Sequence, residues 1–238
     1  MVVYQIIAVE KLLQQDMYYK NKIIMKYTIK YPELSSDSCQ GLLNKLNSLY
    51  RIKALMYERS NIMNLYQMAI VEFEYAAENK VPFHPFEANA DFVITYNQNL
   101  TLSLYFDQYE YAGGAHGLIY RCSDTWDVKK GKKIELNELL PARKYFKEYM
   151  IQNILQYMDY AAIQEEYPYF NDYYNLVRKY FKKNQFYLTI DGIIQYYQQY
   201  EIAPYSFGIP TFLVLFSSEG AVEPKISIPI KIEMKGKH

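Results

Sequence analysis

From Ser38 to Asn79 the chain contains no proline, and no glycine after Gly41. Leu42, Leu46, Leu49, Ile52, Met56, Met63, Tyr66, Ile70 and Phe73 recur through this stretch at roughly helical spacing. One long helix is the reading, with Ser36, Asp37 and Ser38 as candidate N-caps and Pro82 and Pro85 as stops. At ~1.5 Å per residue it would approach ~60 Å, longer than most domains, so a bend or break near Arg59 to Asn61 is expected.

The segments on either side alternate with the period of strands. Met25, Tyr27, Ile29 and Tyr31 fall on one face and Lys26, Thr28 and Lys30 on the other, and with Val2 to Leu13 they predict a hairpin. After Pro85, Ala88 to Tyr96 leads through the polar turn Asn97-Gln98-Asn99 into Leu100, Leu102, Leu104 and Phe106 alternating with Thr101, Ser103, Tyr105 and Asp107. A further strand, Leu118 to Val128, ends at Lys129-Lys130-Gly131-Lys132-Lys133. This basic turn reads as a solvated hairpin tip, because no helix of P-loop type follows it.

Phe146, Tyr149, Met150, Ile154, Tyr157 and Met158 then predict a second helical group, continued by Tyr173 to Phe181 and covering one sheet face. Phe186 to Ile190, Ile193 to Tyr197, Thr211 to Phe216 and Ile226 to Ile232 read as strands, the last at an edge or bulge because Pro229 cannot donate a ladder hydrogen bond. The fold class is therefore α+β, with mainly antiparallel sheets packed against one long N-terminal helix and a second helical segment.

Composition narrows the function classes. Twenty-six basic residues balance twenty-six acidic ones, so no global field favours nucleic acid or an anionic membrane. Twenty-eight tyrosines could serve an interface or a sugar, although genome bias and burial are the stronger account of such an excess. No run of about 18 apolar residues occurs, and Met1-Val2-Val3-Tyr4 lacks a basic lead into a signal sequence, so the chain as given reads as soluble without membrane contact of its own. Cys39 and Cys122 lack metal-site spacing and read as two separate buried thiols, a single bridge being the alternative.

Tyr109-Glu110-Tyr111-Ala112-Gly113-Gly114-Ala115-His116-Gly117 concentrates three of the nine glycines and one of the three histidines. Such glycines belong where the backbone takes positive φ or approaches another chain closely. This run, Thr125-Trp126-Asp127 with Gly131 and Leu136-Asn137-Glu138-Leu139-Leu140, and Phe186 to Gly192 followed by Tyr200 to Gly208, stand together in an order that resembles the RsiV-like anti-sigma factor ectodomain. The same extracytoplasmic domain pair accompanies the catalytic domain of PdaC-type peptidoglycan deacetylases. The resemblance runs from about Tyr18 to Phe216. It implies an N-terminal α+β domain over residues 1–115 and a C-terminal one over 116–238, intimately packed.

RsiV-like ectodomains bind lysozyme, and ligand binding exposes the anti-sigma factor to proteolysis that releases a sigma factor. The resemblance thus implies a protein partner such as lysozyme, or peptidoglycan, and an extracytoplasmic location; the alternative is cytoplasmic, since the chain shows no signal, anchor or sigma-binding segment. Candidate contact residues are Tyr111, Gly113, Gly114, His116, Glu201, Pro204 and Tyr205. A receptor for a cationic protein should present carboxylates, and Asp107, Glu110, Asp124, Asp127 and Glu201 lie closest in sequence to the two signatures.

Catalytic signals are weak. The histidines at 84, 116 and 238 lie far apart, no G-x-S-x-G elbow is present, and carboxylate pairs occur in any domain of this size, so no metal, cofactor or catalytic residue is expected. A binding module of RsiV type leads, with a glycan-binding accessory domain as the alternative and a hydrolase using His116 as the remote third. The hydrolase needs an acid within hydrogen-bond reach of His116.

Overall fold

The computed structural model describes residues 6–37, 39–140, 143–163 and 169–216. β1 (Ile7–Tyr19) and β2 (Lys22–Ser35) form the expected hairpin, although the first strand runs past Leu13 and Val2 to Gln5 lie outside the described residues; its two-residue turn is Lys20 and Asn21, both at positive φ. Such a turn matches the right-handed twist of its flanking strands. Met25, Tyr27 and Ile29 are buried as the alternation requires, and a β-bulge beside Tyr18 adds Ile24 to the core.

The long helical run is present with its break in the expected place. α1 (Gln40–Tyr57) and α2 (Met63–Asn79) are joined by a π-helical turn, Glu58–Ile62. The widened turn aims Tyr57 and Asn61 together at Glu110, whose Oε1 accepts from the Tyr57 hydroxyl at 2.8 Å and from Asn61 Nδ2 at 3.3 Å. Capping departs from expectation. Cys39, not Ser36 or Asp37, holds the N-cap position and makes no side-chain cap bond, while the Ser36 amide is taken by Gln40 Oε1; Ser38 lies outside the described residues. Lys80, in the left-handed conformation, ends α2 before Pro82 is reached.

β3 (Phe86–Gln98) and β4 (Thr101–Tyr111) extend further than the alternation suggested, and the turn moves to Asn99 and Leu100, again both at positive φ. Leu100 is therefore a turn residue and not the first of the strand. Partial burial against the core under α1 offsets a backbone conformation that costs a non-glycine residue ~1 kcal/mol. β5 (Leu118–Asp127) pairs with β4 from Thr101 to Glu110 and is followed by β6 (Lys132–Lys133), giving a six-stranded sheet in the order β1-β2-β3-β4-β5-β6.

One pairing in it is parallel. β2 and β3 run the same way because the long helical crossover returns the chain to the end from which it left. α1 and α2 cover one face of the sheet, burying Leu43, Tyr50, Ile62, Ala69, Ala88 and Leu104 between them.

α3 (Phe146–Ile163) and α4 (Tyr173–Tyr180) precede a three-stranded antiparallel sheet of β7 (Phe186–Leu188), β8 (Gly192–Tyr196) and β9 (Thr211–Leu215). Leu188, Ile193 and Val214 face Met150 of α3, while Tyr187 and Tyr196 face the large sheet. The second sheet thus lies over the helix-free face of the first. Ser103, placed opposite the apolar positions by the alternation, is buried there beside Thr125, with the Ser103 hydroxyl accepting from the Leu188 amide at 2.9 Å. The strand expected at Ile226 to Ile232, with Pro229, lies outside the described residues, as does His238.

Among the described residues no helix is long and apolar enough to cross a membrane. Cys39 and Cys122 are separate, half-buried free thiols, and burial pushes the Cys122 thiol up.

Many tyrosines are internal. Tyr27 donates to Glu58 at the start of the π-helical turn, and burial together with that bond pushes its phenol up to about 12. A phenol with a raised folded value contributes stability below its unfolded value near 10, and loses it as pH rises through about 12. Melting temperature should therefore fall in that alkaline window, and Tyr27→Phe should flatten part of the fall. An equally steep fall in the variant would show that this pair contributes nothing.

Candidate functional site

The loop after β4 is built for close approach. Gly113 and Gly114 take φ of 79° and 91°, and the Tyr111 hydroxyl donates to the Gly114 carbonyl at 3.0 Å, closing the loop on itself. A Cβ at Gly117 would meet the Tyr109 ring at 2.4 Å and the Glu110 carbonyl oxygen at 2.7 Å, so only glycine lets the chain re-enter the sheet as β5. These constraints hold His116 out in solvent.

The second loop follows β8 and is tied down from within. Glu201 Oε2 accepts from the Gln198 amide at 2.7 Å and Oε1 pairs with Lys182 at 2.9 Å, while Ile202 and Ala203 are buried. Exposed Pro204, held extended, starts a single 3-10 turn, Tyr205–Phe207, which Gly208 closes at φ 72°. Gln198 and Gln199 reach across to β5. Gln199 Oε1 accepts from the Ile119 amide at 2.7 Å, and Gln198 bonds both the amide and the carbonyl of Arg121, at 2.9 and 2.7 Å.

These bonds bring the two loops face to face. The His116 and Tyr205 rings stack with centroids 3.7 Å apart and planes 15° from parallel. Tyr200, at φ 63°, places its hydroxyl 3.4 Å from His116 Nε2 and its ring 5.9 Å from Tyr205. His116 Nδ1 faces the Gly117 carbonyl at 3.2 Å, so that nitrogen carries the proton in the neutral ring and Nε2 is the acceptor. At this junction His116, Tyr200 and Pro204 are exposed and Tyr205 is half-buried.

Of the expected contact residues, Tyr111, Gly113 and Gly114 shape the loop, and Glu201 is committed to its own turn. The other acids are also engaged inside the protein. Asp107 makes two bonds to Arg121, Asp124 sits between Lys53 and Lys133, Asp127 pairs with Lys130, and Glu110 accepts from Tyr57 and Asn61. Closeness in sequence to the signatures selected them, but strand alternation sends Asp107 to the face under β7 and Asp124 to the face under α1. Tyr200, Gln198 and Gln199 were not singled out. Tyr200 lay within a signature, whereas nothing in the sequence marked the glutamines as partners for a strand edge.

Among the described residues no group of three or more His, Cys, Asp or Glu could hold a metal ion, and His84 is an exposed loop residue.

Comparison with known proteins agrees with the order of these parts. The family model described as Deacetylase PdaC matches residues 19–119, and that described as Protein of unknown function (DUF3298) matches residues 137–217. A DUF3298 family member from Bacteroides fragilis superposes with a TM-score of 0.62 at 15% identity, covering 89% of this chain and 90% of that one. A second, from Pseudomonas aeruginosa, does so with a TM-score of 0.54 at 14% identity, over 89% and 90% of the two chains. No curated protein matches. Residues 19–119 are thus similar to the PdaC family and residues 137–217 to DUF3298, and the chain shares its fold with those two structures.

Proposed function

We propose that this protein is a noncatalytic, extracytoplasmic binding module whose contact surface is the junction of the Gly-His loop with the Tyr200 to Gly208 loop. The observation that carries the reading is the stack of exposed His116 on half-buried Tyr205, which makes one surface from segments 89 residues apart. Rigid aromatic rings with polar tips lose little conformational freedom on binding and suit a protein contact. Among the described residues neither nitrogen of His116 faces a carboxylate, which speaks against general acid–base work there.

The resemblance to RsiV-like ectodomains makes lysozyme the first ligand to try. Binding through this junction would rest on the aromatic contacts more than on the nearby acids, all of which already have internal partners. Calorimetry with hen lysozyme at low and physiological salt should give saturable binding that His116→Ala or Tyr205→Ala weakens at least about tenfold, as for truncated interface anchors. Both residues are at the surface, so their variants should melt like the parent. The partly exposed rings of Tyr200 and Tyr205 favour a glycan as the second reading. Saturable binding of soluble peptidoglycan fragments, with none to lysozyme, would select it, and binding of neither would remove both.

A further inference from the structure

The Thr125-Trp126-Asp127 motif and the basic turn after it take no part in the junction, yet they build a second site. The first turns of α1 and the β5–β6 turn enclose a pocket of about 190 Å³, walled by Leu42, Leu46, Leu49, Trp126 and Val128, with Lys45 on its lining. The Trp126 Nε1 donates inward to the buried Tyr50 hydroxyl at 2.9 Å, so its indole offers the pocket only apolar surface. Gly131, at φ 66°, lets the turn lie against Leu42. A Cβ there would stand 2.8 Å from Leu42 Cδ2.

The charged side chain on the pocket's lining is Lys45, which has no acid partner among the described residues, whereas Lys130, Lys132 and Lys133 of the adjoining turn are neutralised by Asp127, Glu138 and Asp124. A closed apolar cavity of roughly 150 Å³ is enough to hold a benzene ring. We propose that this pocket binds a small anion with a single aromatic ring, the ring seated between Leu46 and Trp126 and the anionic group beside the ammonium of Lys45. A bare phosphate has no apolar body to fill the walls, and a neutral ring leaves Lys45 without its partner. The site is independent of the loop junction, and its test does not depend on what that junction binds.

Trp126 is the chain's only tryptophan, so its fluorescence reports this pocket directly. The 238-residue chain is titrated with 3-phenylpropionate and, separately, with 3-phenylpropionamide, with circular dichroism melts on every variant. Saturable change with the carboxylate, about fivefold weaker binding of the amide and of the carboxylate to Lys45→Glu, and loss of the signal in the pocket-filling Leu49→Phe, are the expected results. Lys45 is exposed, so its variant should retain the parent melting temperature. The proposal is overturned by an unchanging Trp126 signal, or by equal affinities for acid and amide that Lys45→Glu leaves untouched.

Discussion

Replacing Arg121 with alanine is expected to lower the free energy of unfolding by about 3 kcal/mol, the scale for removing one partner of a buried ion pair. Its guanidinium makes two bonds to Asp107, at 2.7 and 2.6 Å, stacks 3.8 Å from the centre of the Tyr105 ring, and lies 6.0 Å from both Tyr187 and Tyr196. The side chain is only 11% exposed. Alanine leaves the Asp107 carboxylate without its fork and opens a space between the two sheets. Arg121→Lys should fall between, since an ammonium keeps the charge but neither the two-pronged geometry nor the planar stack. Urea denaturation measures this; a loss under about 0.5 kcal/mol, the range of ordinary surface changes, would mean that the box of rings holds without its cation.

Gly117→Ala is the second large effect, about 2–3 kcal/mol on the scale for overpacking. The added methyl meets an aromatic ring and a backbone carbonyl, and the carbonyl cannot rotate away. Relief requires the Gly-His loop to shift, which moves His116 off Tyr205, so ligand binding should be lost along with stability. Gly114→Ala is the control. Nothing stands within 4 Å of its Cβ, and only the strain of φ 91° remains, about 1 kcal/mol. Equal losses at the two positions would show that the close approach at 117 costs no more than the strained backbone at 114.

The elements with local signals were legible in the sequence. The absence of proline from Ser38 to Asn79 gave the helix, and its excessive length gave the break that the π-helical turn supplies at Glu58–Ile62. The glycines placed a tight loop between β4 and β5, and the two signatures pointed to segments that do meet at His116 and Tyr205. Long-range pairing left no local trace. The parallel contact of β2 with β3 depends on where the helix returns the chain, and the burial of Ser103 depends on a sheet more than eighty residues away. The internal partners of the carboxylates were hidden for the same reason: neighbours along a strand point to opposite faces, where different partners wait for them.

The hold of Gln198 and Gln199 on β5 also bears on how the chain is made. Until those side chains arrive, the amides of Ile119 and Arg121 form an open strand edge, the kind of surface that templates pairing with another chain. Arg121 and Gln198 are 77 residues apart, and at ~5–20 residues per second a ribosome takes on the order of 4–15 s to cover that interval. Neighbouring nascent chains on one message share this window, so self-association is most favoured during translation and is shut off once the second loop docks.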